Sequence, residues 1–252
     1  MKRAADGRHS FRAPRSRAAE LLEASTPAVE HSPSWIIEHE NLEGKIYTRL
    51  RGLIIDRSIP PGGRLVVDHL ARKMGVSRTP VLGALKRLGL EGVVELKSRR
   101  GIYVRRFTKR EMAELFQVRE ALEGLSARLA ATRIDRDEVD RLMEMFRELS
   151  VAPTPAAVRR YIEQDRYFHW RIVQLARNEQ VAHALESVNM MFFTWQDGLV
   201  RPAAETVKEH FTILEALRRR DPNASEAAMR LHIRRSAERL EQEAETEDPR
   251  SR

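Results

Sequence analysis

From Leu42 onward the apolar residues fall into a helical period, with Ile46, Leu50, Leu53 and Ile54 on one stripe. The prolines and glycines of "SIPPGGRL" then end it. The spacing predicts a first helix of about fourteen residues, and "VDHLARKMGV" predicts a short second one stopped by Gly75. Ser77 is placed to cap a third helix, whose first turn tolerates Pro80 because no intrahelical partner awaits that N–H. Val81, Leu85 and Leu88 recur at i, i+4 and i+7 and face inward, leaving Arg78, Leu82 and Lys86 on the opposite face. After Gly92 the period changes to that of strands: Val93 to Leu96 and Ile102 to Val104, around the turn "KSRRG". Three helices followed by a basic hairpin predict a winged helix-turn-helix.

From Thr108 the pattern stays helical. "TKRE" and "DRDE" have the spacing of capping boxes, while "SVAPTP" and "RRRDPN" break the run. Six helices are predicted, at approximately 109–131, 136–150, 155–177, 179–197, 204–219 and 224–244. No strand pattern or glycine-rich phosphate loop interrupts them, so an antiparallel all-α bundle is expected. The fold class is therefore mainly α: an N-terminal winged helix-turn-helix over 39–107 and a helical domain over 108–244. Residues 1–38, rich in Arg, Ala, Ser and Pro, are expected to be a disordered basic tail, and 245–252 a short charged one.

Charge sharpens this division. The net +8 is unevenly spread: six basic and six acidic residues lie in 1–40, seventeen against five in 41–110, and twenty-two against twenty-six in the remainder. A basic block of about seventy residues beside a mildly acidic domain points to a polyanion-binding module joined to a domain with another task. The chain has no cysteine, which excludes disulfides, thiolate metal sites and a cysteine nucleophile. No apolar run has membrane-spanning length and no signal-peptide core is present, so a cytoplasmic, nucleoid-associated location is expected.

The stretch "LARKMGVSRTPVLGALKRLGLEGVVELKSRRGIYV" resembles the DNA-binding domain of GntR-family bacterial transcription regulators, and the downstream helices resemble the FCD domain of the FadR branch. The resemblance implies that the helix opening at the S-R-T motif enters a major groove while the wing reaches the backbone or the adjacent minor groove. Ser77, Arg78, Thr79 and Pro80 match the motif's start, and Arg100 and Gly101 match the wing tip. An arginine at Arg78 can form a bidentate pair with a guanine edge, Thr79 and Lys86 can hold phosphates, and Arg99, Arg100, Arg105 and Arg106 can add salt-sensitive affinity. The chain departs from the family at Leu82 and Gly83, where Arg-Glu is usual. Leucine there either packs on a thymine methyl or marks weak or altered specificity, and Gly83 is expected to loosen the helix.

A second set of residues suggests a metal. Asp165 and His169 are i and i+4 on one helix face, while His210 and His232 sit on the apolar stripes of two later helices. Three inward histidines and a carboxylate suit Zn, Ni, Mn or Fe, although a lone histidine on an apolar stripe is more often a satisfied core residue. All four positions match the metal-binding pattern of the FCD family. The resemblance further implies one or two coordination positions open to a small carboxylate metabolite, with Arg119 pairing to it; the residue pattern alone also allows Arg119 to be an exposed helix arginine beside Glu123. The segment between His169 and His210 is shorter than is usual in the family, which predicts a reshaped wall around Trp195 to Pro202. His9, His31, His39, His69 and His183 match no ligand position. The expected function is a non-enzymatic, effector-controlled regulator that binds a roughly palindromic double-stranded operator as a homodimer, with "RRFTKREM" as its hinge. Two alternatives stand: a metal-dependent hydrolase with a degenerate DNA-binding domain, in which Glu209 would face away from the metal, or a non-specific DNA-binding protein.

Overall fold

The computed structural model describes residues 42–97, 100–149, 154–195 and 198–247. The expected N-terminal tail, 1–38, lies outside the described residues, and so does Arg99 at the wing tip.

The first helix, α1, runs Leu42–Ile55 and buries Ile46, Tyr47, Leu50 and Ile54. Tyr47 takes the place on this stripe that the sequence gives to Leu53, which is half-buried. The Tyr47 hydroxyl reaches across to donate to the Glu91 carboxylate, 2.8 Å away. After strand β1 (Arg64–Leu65), α2 spans Val67–Met74 and ends on Gly75, whose φ of 67° places it in the left-handed region that favours glycine. The third helix, α3, Arg78–Leu90, buries Val81, Ala84, Leu85 and Leu88. Ser77 holds the extended N-cap conformation but its side chain makes no capping hydrogen bond, so the expected cap is one of position only.

Strands β2 (Val94–Lys97) and β3 (Gly101–Val104) form the wing, pairing Val94 with Val104 and Lys97 with Gly101. β1 adds a third antiparallel strand along β3, with Leu65 opposite Ile102. Two residues carry too short an alternation for a sequence pattern to reveal this strand. The three helices and the sheet close over one core that includes Leu50, Ile54, Leu85, Leu88, Val93 and Val104.

Six further helices follow among the described residues: α4 (Lys109–Ala131), α5 (Arg136–Arg147), α6 (Pro155–Ala176), α7 (Glu179–Trp195), α8 (Ala203–Arg218) and α9 (Pro222–Glu247). Their starts have chemical causes. Thr108 and Glu111 complete a reciprocal capping box, and Asp135 and Thr154 each accept an N–H of the first turn. The last helix runs three residues past its expected end, where Lys109 pairs with Glu243 and with Glu247. α9 lies along α4, and these two pack with α6 and α8 around Phe116, Phe146, Phe168, Ile172, Leu214 and Met229. Each such side chain contributes roughly 1.5–3 kcal/mol by leaving water, so the inner faces of these helices are held firmly enough to position polar groups among them. None of the described helices is long and apolar enough to cross a membrane.

Candidate metal centre and DNA interface

The bundle brings together the four residues singled out as ligands. Asp165 and His169 come from α6, His210 from α8 and His232 from α9, and their ligand atoms all lie within 4.8 Å of one another. His232 Nε2 is 3.3 Å from both His210 Nε2 and His169 Nε2. Asp165 Oδ1 is 3.3 Å from His210 Nε2 and 3.7 Å from His169 Nε2. Nitrogens bound to one ion at about 2.0–2.1 Å stand roughly 2.8–3.4 Å apart. The histidine spacing therefore fits a single shared cation.

The groups behind the rings set their tautomers. His169 Nδ1 meets Glu123 Oε2 at 2.5 Å, and His232 Nδ1 meets Glu209 Oε2 at 2.8 Å. A carboxylate fixes the proton on Nδ1 and leaves the Nε2 lone pair aimed into the cluster. Two such lone pairs facing each other repel until a cation lies between them, which is a second mark of fit. His210 has no hydrogen-bond partner at its buried Nδ1. Its ring is instead held by stacking on Phe146, with centroids 4.5 Å apart, and by Phe168 at 4.8 Å. Burial, then the neighbouring His232 and His169, keep His210 well below the usual imidazole range, and burial lowers His232 too. Neutral imidazole is the form that binds a metal.

The carboxylates are themselves anchored. Burial would raise Glu123, but Arg119 and His169 outweigh it and bring the carboxyl to about 2. Glu209 is likewise held below the usual range against burial, by His232, Arg201 and Arg235. Arg201 grips Glu209 through two nitrogens, at 2.9 and 2.7 Å. Glu209 thus turns away from the cluster as expected, yet it positions His232. Tyr161 joins from the side, its hydroxyl 3.1 Å from Asp165 Oδ1 and 2.6 Å from Thr206 Oγ1. Glu123, Glu209, Arg201 and Tyr161 were not expected in these roles. The one sequence signal was Arg119 and Glu123 at i, i+4, and it carried no hint of His169, 46 residues away.

Arg119 is buried, not an exposed helix arginine, and its Nε donates to Glu123 Oε1 at 2.7 Å. It lines two spaces. One, of about 40 Å³, lies against Tyr161, Asp165, His169 and His232. The other, of about 520 Å³, shares Arg119, Asp165 and His169 and extends past Trp170 to α7. His183, expected to be a surface or packing residue, lies on the wall of this larger cavity. Around the segment expected to be reshaped, Trp195 belongs to α7 and Arg201 turns inward.

The residues matched to the DNA-reading motif lie on the outside of the first core. Arg78, Thr79 and Lys86 are exposed on α3 and Pro80 is half-buried. The Arg78 Nε forms an ion pair with Asp68 Oδ1 at 3.0 Å, a solvent-exposed pair that phosphate or base contacts can replace at little cost. Leu82 is 45% exposed on the same helix. Gly83 has a tighter setting than a loosened helix suggests: a Cβ there would run into the Glu43 carboxylate of α1. At the wing, Arg100 is exposed in the turn before Gly101, whose φ of 112° lies in the region glycine favours. Arg105, read as a salt-sensitive DNA contact, pairs with Glu111 and lies over Phe107, 4.7 Å from its ring centre. That pair and the Thr108 capping box both lie within the segment expected to be the hinge.

Winged helix, basic wing and helical ligand cluster together define the class of a two-domain bacterial transcription regulator. The family model for bacterial regulatory proteins of the gntR family matches residues 42–104, and the model for the FCD domain matches 114–235. The chain is 30% identical over 167 residues to the Nta operon transcriptional regulator of Aminobacter aminovorans, covering 66% of this chain and 79% of that one. It is 27% identical over 205 residues to the HTH-type transcriptional repressor RspR of Escherichia coli, covering 79% and 88%. Among solved structures it superposes on E. coli McbR/YncC with a TM-score of 0.64 at 20% identity, over 81% of this chain and 99% of the other, a likeness of fold. The chain belongs to the GntR family of bacterial regulators and carries an FCD domain. It is therefore a DNA-binding transcription regulator and not an enzyme, so the hydrolase alternative falls.

Proposed function

We propose that this regulator binds a divalent cation at Asp165, His169, His210 and His232, and that a small carboxylate metabolite reaching this centre controls its hold on DNA. The observation that carries the reading is the convergence of three Nε2 atoms, those of His169 and His232 turned inward by Glu123 and Glu209, beside a cavity that also holds Arg119. A bound Zn, Ni, Mn or Fe ion would supply Lewis acidity toward a carboxylate oxygen. Arg119 adds a guanidinium already fixed by Glu123, which costs little ordering when an acid binds.

DNA binding is assigned to 39–107, with Ser77, Arg78, Thr79, Pro80, Lys86, Arg100 and Gly101 at the interface, and effector control to 108–244. Two copies would place their α3 helices in successive major grooves of a roughly palindromic operator. The effector can shift operator affinity only by as much as its own affinity differs between the DNA-bound and free arrangements.

Metal analysis of purified full-length chain, paired with a thermal-shift screen of small organic acids with and without chelator, tests the proposal. Substoichiometric metal under metal-replete growth, or acid binding indifferent to chelator, would remove it. Equal affinity for operator and random DNA would return the protein to the non-specific alternative.

A further inference from the structure

The 520 Å³ cavity has a wall that metal binding does not use. Most of its lining comes from α4, α6 and α7, but Arg51 comes from α1, within the segment matched by the gntR family model. Arg51 Nη1 lies 2.7 Å from Glu186 Oε1 on α7, with the arginine side chain 28% exposed and the glutamate 45%. The winged helix thus supplies one cation to the cavity of the helical domain, through an ion pair at its edge.

Arg51 shares this cavity with the histidine cluster: Arg119, Asp165 and His169 lie on the same lining, and α7, joined to α6 by Arg177 and Asn178 alone, packs against both α4 and α1. Trp170, Val173 and Leu185 line the space apolarly, while Asn189 adds an amide.

Size and charge then constrain the ligand. At a liquid share of about 30 Å³ per water the cavity has room for roughly seventeen waters, far more than a two-carbon acid occupies. One anionic group is accounted for by Arg119 and the metal; of the other arginines on the lining, Arg166 lies on α6 beside Asp165, and Arg51 is the one that the winged helix supplies to a second. Resting on the carboxylate-site reading above, we propose that the effector carries two anionic groups, one held at Arg119 and the metal centre, the other taken by Arg51 in exchange for Glu186.

The exchange is physically favourable. A ligand carboxylate inside the cavity is better shielded than the half-exposed Glu186, so its charge-assisted bonds to the guanidinium are stronger. Glu186, once released, regains water at little cost. The same event gives the ligand a direct contact with the DNA-binding segment, which is the differential interaction that control of DNA affinity requires.

The test uses metal-loaded full-length chain and calorimetric titration with acids matched in length: butyrate against succinate, valerate against glutarate, hexanoate against adipate. In the wild type at least one diacid should bind about tenfold or more tightly than its monoacid, a difference of about 1.4 kcal/mol. Arg51→Gln should reduce that ratio by tenfold or more, Arg51→Lys should retain part of it, and Glu186→Gln should raise diacid affinity several-fold by removing one competitor for the guanidinium. Metal-dependent monoacid binding with a diacid ratio that Arg51→Gln does not alter overturns this proposal and leaves the carboxylate site standing. Failure of every acid to bind metal-loaded protein overturns both.

Discussion

Helix α3 and the histidine cluster treat polar side chains in opposite ways. Arg78, Thr79 and Lys86 stand in solvent, and the recorded partner of Arg78 is the exposed Asp68. His169, His210 and His232 are buried, and two of them are tied through their outer nitrogens to carboxylates that arginines hold in turn. Exposed cations exchange partners cheaply and suit a surface that must meet and leave DNA. Buried imidazoles whose tautomers are fixed by carboxylates exchange nothing cheaply, and a site proposed on them is shaped before any ligand arrives.

The largest effect should come from breaking the buried half. His210→Ala removes a convergent nitrogen and a ring stacked on Phe146. Wild-type chain in metal at a hundredfold excess over its dissociation constant should gain about 2.7 kcal/mol of stability, read as a shift of the melting curve, and the variant should gain none. An equal metal-induced shift in the variant would remove His210 from the ligand set. On the exposed half, Arg78→Ala should cost about 1–3 kcal/mol of operator affinity and relax base preference at one position. Fluorescence anisotropy with substituted operators measures both, and unchanged affinity with unchanged preference would displace α3 from base reading.

A third variant asks whether the winged helix has a buried polar anchor of its own. Burial first, and then the Glu91 carboxylate, push the Tyr47 hydroxyl up to about 12. A raised folded value means stabilisation fully present below pH about 10 and lost as pH rises through about 12. Tyr47→Phe should flatten that alkaline limb in denaturant melts; a limb of the same slope would assign the loss to other groups. The smallest change expected is from Leu82→Arg, which adds a cation one turn after Arg78. It should tighten DNA binding modestly and steepen the log–log salt dependence by about 0.9. A slope that does not move would place residue 82 away from the phosphates.

Legibility in the sequence followed the same division. Helices with a sustained apolar stripe, such as α4 and α6, were readable almost to the residue because one period governs each whole element. β1 was not, since its two residues exist as a strand only through β3. The clustering of Asp165, His169, His210 and His232 was readable from their types and spacing together with a family resemblance. Their support was not: Glu123 meets His169 across 46 residues, and Arg201 reaches Glu209 only because α8 begins where it does. Such contacts are products of packing, and no local pattern encodes them.

The Glu43 carboxylate beside Gly83 bears on how this scaffold can be re-engineered. Residue 43 opens the first helix and residue 83 lies on the third, yet the two draw on one volume. A side chain transplanted to position 83 would enter that volume, and the exposed Glu43 carboxylate, the far end of a flexible side chain, would have to swing aside to admit it. Position 43 is therefore the neighbour to vary together with 83 when α3 is rebuilt.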